Sequence, residues 1–311
     1  MRFRRVAGQG NSFSRYITMT NLRAYLACIF IVCAWSGWIT ISRHGVQTAL
    51  QPADITLIRY GTALICVLPL IVRHRWSRFK PHQYLVMGLG IGFPYTMMSF
   101  YGLRVLKAAH AGVLVNGMLP VMGAVAAWFI LRQRVSVLRY WAIGIIFLAN
   151  FVMAGGDTFS LDHSLGILLL LAAAVCYTTH MIGVKFWKFE WRDVLVAVPV
   201  VNTLIFLPLW FVFPTALFQA DLGEILVQAG YQGIIVNIVA LMFSTYAIAR
   251  LGTITVSIFM SFVPVTTALL AWLLLGEELN SWELCGIVGC SIGLFLYAWG
   301  QTWENRKRIL Q

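Results

Sequence analysis

Charge is scarce in this chain. Only 11% of its 311 residues are Asp, Glu, Lys or Arg, while 60% are hydrophobic, and the mean hydropathy is +0.80. A soluble domain carries roughly 25% charged residues, so there are too few here to cover a water-facing surface, and lipid is the expected surrounding. Carboxylates are scarcer still, 11 against 23 Lys plus Arg, and none lies well inside an apolar run. The six cysteines (Cys28, Cys33, Cys66, Cys176, Cys285 and Cys290) all sit in apolar runs and form no CxxC. They read as small packing residues and not as disulfides or thiolate ligands. HExxH, acidic metal-binding clusters and a nucleophile–base pair are missing as well, which disfavours a polytopic enzyme; no metal or cofactor is expected.

What the chain has instead is long apolar runs. A helix needs about 20 apolar residues to cross the hydrocarbon core, and backbone polar groups in lipid must be satisfied within the segment. Ten such spans are expected, near residues 22–41, 55–72, 83–101, 109–131 and 138–155, then 165–184, 194–213, 226–249, 253–275 and 282–299. Residues 1–21 are basic and polar, with no short apolar core and small-residue cleavage site after them, so the first run reads as a retained span. Met19 offers an alternative start.

The fold class expected is therefore an all-α integral membrane protein, and the basic residues orient it. With a cytoplasmic N-terminus, nineteen of 23 Lys and Arg fall on the inner side, from Arg2, Arg4, Arg5, Arg15 and Arg23 through Arg73, Arg75, Arg78 and Lys80 to Arg306, Lys307 and Arg308. Only Arg43, Arg104 and Lys107 fall outside, with Arg59 inside a span. Asp54, Asp157, Asp162, Asp221, Glu224, Glu277, Glu278 and Glu283 lie outside. This is the positive-inside pattern, with both termini cytoplasmic. It accounts for the net charge of +12 without nucleic acid.

One stretch occurs twice. PVMGAVAAWFIL at 120–131 returns as PVTTALLAWLLL at 264–275, an offset of 144 residues with six of twelve positions identical, Pro120/Pro264 and Trp128/Trp272 among them. Copies on the fourth and ninth spans, five spans apart, must run in opposite directions, which is an inverted-topology repeat. The divisions expected are a cytoplasmic extension at 1–21, a first five-helix repeat at 22–156, a second, inverted one at 163–300 and a basic cytoplasmic tail at 301–311.

Ten short spans in two halves with this repeat resemble the drug/metabolite transporter superfamily, in its ten-span EamA-type branch. Trp35-Ser36-Gly37, Arg59-Tyr60, Pro264 followed by Leu275-Gly276-Glu277-Glu278-Leu279, and Trp282-Glu283 with Gly286 also match. The first half departs from the family's Gly-Glu with Arg132-Gln133-Arg134. The resemblance implies alternating access around a substrate site at mid-membrane, lined by spans one, three, four, six, eight and nine, with five and ten peripheral. It implies a multi-pass protein of the cell membrane (the bacterial inner membrane), monomeric or homodimeric, whose partners are lipid and a small-molecule substrate. The function expected is secondary, non-ATP-driven transport of a small amphipathic metabolite, an amino acid or derivative. Export of drugs or nucleobase-like metabolites is the alternative, and a channel or membrane enzyme a distant one. The missing intramembrane carboxylate disfavours carboxylate-based proton antiport and leaves facilitated export, exchange or histidine-mediated coupling.

Candidate cavity residues follow from type and depth. Trp35 and Trp38 on the first span, and Tyr95, Met98 and Ser99 on the third, offer faces for a ring or a cation. Tyr177 and His180 lie a turn apart on the sixth span, where His180 could bind substrate or carry a proton. Asn116, Asn237, Ser244, Ser257 and Ser261 supply mid-depth hydrogen-bonding groups. Arg59 is either paired with Asp54 or a helix end, or an electrostatic lure for a substrate anion. Pro120 and Pro264 read as matched hinges, because each frees a carbonyl one turn earlier. Asn150 and Asn202 lie on spans that the resemblance places outside the cavity and so read as structural, and Gly289 with Gly293 as a close-packing or dimer face.

Overall fold

The computed structural model describes the backbone of residues 10–131, 136–154 and 161–310, with side chains over 22–125, 136–153, 162–251 and 255–300. Arg2, Arg4, Arg5, Arg132, Arg134 and Asp157 lie outside the described residues, as do the side chains of Arg15, Trp128, Arg306, Lys307 and Arg308. Helices are α1 (Gly10–Gly45), α2 (Pro52–Ile71), α3 (Pro81–Gly90), α4 (Phe93–Val105), α5 (Ala108–Leu131), α6 (Val137–Ala154), α7 (Leu161–Trp187), α8 (Trp191–Trp210) and α9 (Leu222–Gln228). A π-helical segment, Ala229–Ala240, leads into α10 (Leu241–Met260), followed by α11 (Val263–Leu275) and α12 (Ser281–Leu310). No strand occurs among the described residues. Large apolar side chains such as Ile65, Phe147, Phe151, Leu204, Leu273 and Trp272 stand exposed, as a lipid-facing surface requires.

Eight described stretches are long and apolar enough to cross a membrane, with Val137–Met153 a shorter ninth. The third expected span, 83–101, is two short helices. Gly92 and Pro94 explain the break, because Pro94 lacks a backbone donor and fits only the first turn of α4. The broken ladder is repaired from neighbouring helices. Asn202 of α8 donates to Gly88 O (2.9 Å) and accepts from Phe93 N (2.7 Å). Tyr60 donates to Ile91 O (2.7 Å) and His180 Nδ1 to Met87 O (2.7 Å). The structural reading of Asn202 thus has a specific content: its amide serves both sides of the break.

The expected loop near Arg250 is helical, since α10 runs on to Met260 and breaks at Ser261–Phe262 instead. This separates the two prolines. Pro120 lies inside continuous α5, whereas Pro264 stands in the first turn of α11, where a missing N–H is no loss. They are therefore not matched kinks within two equivalent helices. The helices that carry the repeat do approach each other, at a point before the first copy: a Cβ on Gly112 of α5 would lie 3.5 Å from Pro264 Cα and 3.3 Å from Thr267 Cβ.

Packing follows a regular scheme. α4 and α5 pack on α7, while α10 and α11 pack on α1; α2 pairs with α8, α5 with α11, and α6 with α12. The Gly289–Gly293 face is turned inward. A Cβ on Gly293 would come 3.1 Å from Ala142 O and 2.6 Å from Ile146 Cγ1, and one on Gly289 3.1 Å from Ala149 Cβ. These glycines let α12 lie against α6 of the same chain.

Candidate substrate site

The central core draws on α1, α2, α4, α5, α7, the π segment and α11, and a continuous set of rings runs through it. Trp35 and Trp38 meet edge to face at 6.1 Å, and Trp38 stacks on Tyr95 at 5.5 Å. Tyr177 lies 5.6 Å from Tyr95 and 6.1 Å from Trp35, and His180 stacks beyond it at 6.0 Å. Five of the expected cavity residues, from three helices, thus form one aromatic cluster. Met98 packs against the same core, and Ser99 is buried. Because Met87 O can only accept, His180 Nδ1 carries the hydrogen in that bond. His180 therefore joins the cluster to the α3–α4 break.

Arg59 is 1% exposed, and the structure overturns its expected pairing with Asp54. Asp54 accepts from Trp210 Nε1 (2.9 Å), Thr215 Oγ1 (2.6 Å), Ala216 N (2.8 Å) and Gln51 N (3.1 Å), so its oxygens are already occupied. Arg59 turns the other way and donates to Gln232 Oε1 (2.8 Å) and Asn237 Oδ1 (3.2 Å). Its guanidinium carbon stands 5.7 Å from the Trp38 ring centre and 5.5 Å from that of Tyr60. No carboxylate among the described residues pairs with it. Burying a cation without a counter-ion costs several kcal/mol, offset here in part by the two amides and two ring faces.

The π segment brings those amides together. Gln232 and Asn237 are five residues apart, about 140° around an α-helix at 100° per residue, but i→i+5 bonding places such residues close to one turn apart. Gln232 Nε2 also donates to Ser42 Oγ (2.9 Å) and Gln228 Oε1 (3.2 Å), and Gln228 Nε2 to Ile41 O (3.0 Å). Sequence reasoning missed Ser42, Gln228 and Gln232. Two glutamines four residues apart in an apolar stretch were the available signal. Around the guanidinium three buried donors find no acceptor: Trp38 Nε1, Arg59 Nε and Asn237 Nδ2. Each such group costs about 1–3 kcal/mol.

The remaining expected residues lie outside the aromatic cluster. Ser261 Oγ, at the end of α10, donates back to Ile258 O (2.6 Å). Asn116, Ser244 and Ser257 are half-buried on α5 and α10, and Asn237 faces Arg59. Arg104 and Lys107 are engaged by partners within the chain. Arg104 donates to Gln51 Oε1, and Lys107 to both Glu283 oxygens (2.9 and 3.1 Å). Beside them Arg43 Nε meets Glu277 Oε1 at 2.8 Å, and Glu277 Oε2 accepts from Ala108 N (2.9 Å). Arg43 and Ala108 belong to the first half and Glu277 to the second, so these bonds tie the halves together at one end. At the other end Arg78 reaches Glu190 (2.8 Å) and Asp193 (3.3 Å).

Known proteins place this architecture. A solved crystal structure superposes with a TM-score of 0.57 over 88% of this chain and 96% of its own, at 17% identity, which concerns the fold alone. An uncharacterized transporter of Bacillus subtilis (strain 168), YrdR, is 25% identical over 318 residues, 92% of this chain and 94% of its own. A WAT1-related protein of Arabidopsis thaliana is 33% identical over 81 residues, 26% of this chain and 21% of its own. The EamA-like transporter family pattern matches residues 22–155 and again 164–299. The chain belongs to the EamA-like transporter family and is a multi-pass membrane transporter of small molecules.

Proposed function

We propose that this protein is a secondary, non-ATP-driven carrier of a small amphipathic metabolite, an amino acid or carboxylate-bearing derivative, working by alternating access in the bacterial inner membrane. The observation that carries this reading is the origin of the central site. Trp35, Trp38, Arg59 and Tyr95 come from the segment 22–155, while Tyr177, His180, Gln232 and Asn237 come from 164–299. A site shared by two halves changes its access when the halves rock. Ten spans in two inverted halves, with both termini cytoplasmic, are part of the proposal. Its support is the packing scheme, in which α4 and α5 against α7 answer α10 and α11 against α1, and the pairs α2–α8, α5–α11 and α6–α12 are each their own counterpart.

Counterflow tests it. Proteoliposomes preloaded with an unlabelled amino acid or organic acid should take up labelled solute faster than empty ones. Tyr177→Ala should weaken apparent affinity about tenfold, the scale of about 1.4 kcal/mol of lost contact, while leaving the protein folded. Uptake with no stimulation by preloading would indicate a channel, and Tyr177→Ala with unchanged affinity would remove α7 from the site.

A further inference from the structure

We propose that Arg59, Trp38 and Asn237 form an anion subsite that selects a ring-bearing monocarboxylate, one whose amine is absent or masked, over a zwitterionic amino acid. This deepens the carrier reading and rests on it for the location of the substrate. Three observations converge. Among the described residues, buried Arg59 has only neutral amide acceptors, Gln232 Oε1 and Asn237 Oδ1. Its one nearby acid on the same helix, Asp54, is saturated by Trp210, Thr215, Ala216 and Gln51. The donors left without an acceptor, Arg59 Nε, Trp38 Nε1 and Asn237 Nδ2, sit on Arg59 and on two side chains that it meets.

All three are N–H groups that can only donate, and an ionised carboxylate is acceptor-only, with about four lone-pair sites. A neutral hydroxyl brings fewer acceptors and no charge to answer the guanidinium. The side chains that continue from this subsite are aromatic, through Trp38, Tyr95, Trp35 and Tyr177, so a ring on a short chain would find stacking partners beside the carboxylate. An ammonium finds no carboxylate there among the described residues, and bringing it so close to a buried guanidinium adds like-charge repulsion.

The test uses the purified full-length protein and three probes of one skeleton: 3-phenylpropionate, 3-phenylpropan-1-ol and L-phenylalanine. Titrations followed by tryptophan fluorescence and thermal shift should show the propionate binding at least about tenfold tighter than the other two, as a charge-assisted bond to a desolvated guanidinium implies. Asn237→Asp should supply the missing carboxylate from within, raise the melting temperature and abolish the propionate preference. Trp38→Phe keeps the ring, removes one donor and should weaken the propionate several-fold without changing the alcohol. A propionate that binds no tighter than the alcohol, binding by none of the three included, overturns the proposal. So does an Asn237→Asp protein that keeps the preference. Counterflow separates the two readings. Exchange without charge preference leaves the carrier standing and removes the anion subsite, whereas a preference abolished by Asn237→Asp without counterflow does the reverse.

Discussion

At the residue scale, the buried polar groups divide into those that repair the backbone and those that remain unsatisfied. Asn202, Tyr60 and His180 are consumed by the α3–α4 break, and Asp54 by the segment after α8. Outside the spans, His74 is a group whose charge state the fold perturbs. It packs against Trp76 at 4.6 Å, meets Tyr84 Oη at 3.1 Å and stands 3.8 Å from Asp193. Burial holds its pKa below the ordinary 6.5, a drop that Asp193 opposes and Arg78 reinforces. The folded protein therefore keeps His74 neutral where the unfolded chain takes a proton. Its contribution to stability is whole above pH 6.5 and declines as the pH falls below that value. Melting temperatures measured between pH 7.5 and 5.5 should fall more for the natural protein than for His74→Gln. Equal slopes would show that His74 contributes nothing to acid sensitivity.

At the element scale, α6 and α12 form the most extensive helix pair, and small residues make it close. Without a hydrophobic drive between helices in lipid, such contact is held by packing and close backbone approach. Gly293→Val should force α12 away from Ala142 O and Ile146, with a loss of about 1–3 kcal/mol, the scale of overpacking. Gly144→Ala on α6, where a Cβ meets nothing within 4 Å, should be neutral. Unfolding of both variants in mixed detergent micelles distinguishes the two; equal stability would mean that the α6–α12 contact is dispensable.

For the whole molecule, the question is what holds the halves in one arrangement. The Arg43–Glu277 pair and the Ala108–Glu277 bond join the halves at one end. Both partners of the pair are mostly buried, so removing one charge leaves the other uncompensated, which is felt more than the loss of an exposed pair. Glu277→Gln keeps an acceptor for Ala108 N and removes the charge. It should shift the population toward the state open at that end, and Ser99→Cys in a cysteine-free background should then react several-fold faster with a membrane-impermeant maleimide. Exchanging the partners, Arg43→Glu with Glu277→Arg, should restore slow labelling. Equal rates in all three proteins would dismiss the pair as a latch.

Hydropathy is a sum over about 20 neighbouring residues, so the helical membrane class is settled by local sequence. Residue type and depth also singled out the rings that the fold gathers into one cluster. Three things depended on tertiary structure. The split of the third span turns on whether neighbours can satisfy a broken ladder, and Asn202 does so from 109 and 114 residues away. The inequality of Pro120 and Pro264 depends on where each helix begins. The partners of Arg59 lie 173 and 178 residues from it, on a segment whose π geometry no α-helical periodicity anticipates. In helices apolar nearly all round, sequence does not say which face turns inward. Only packing decided that Arg59 meets two amides and two aromatic rings, with its charge unanswered by any carboxylate among the described residues.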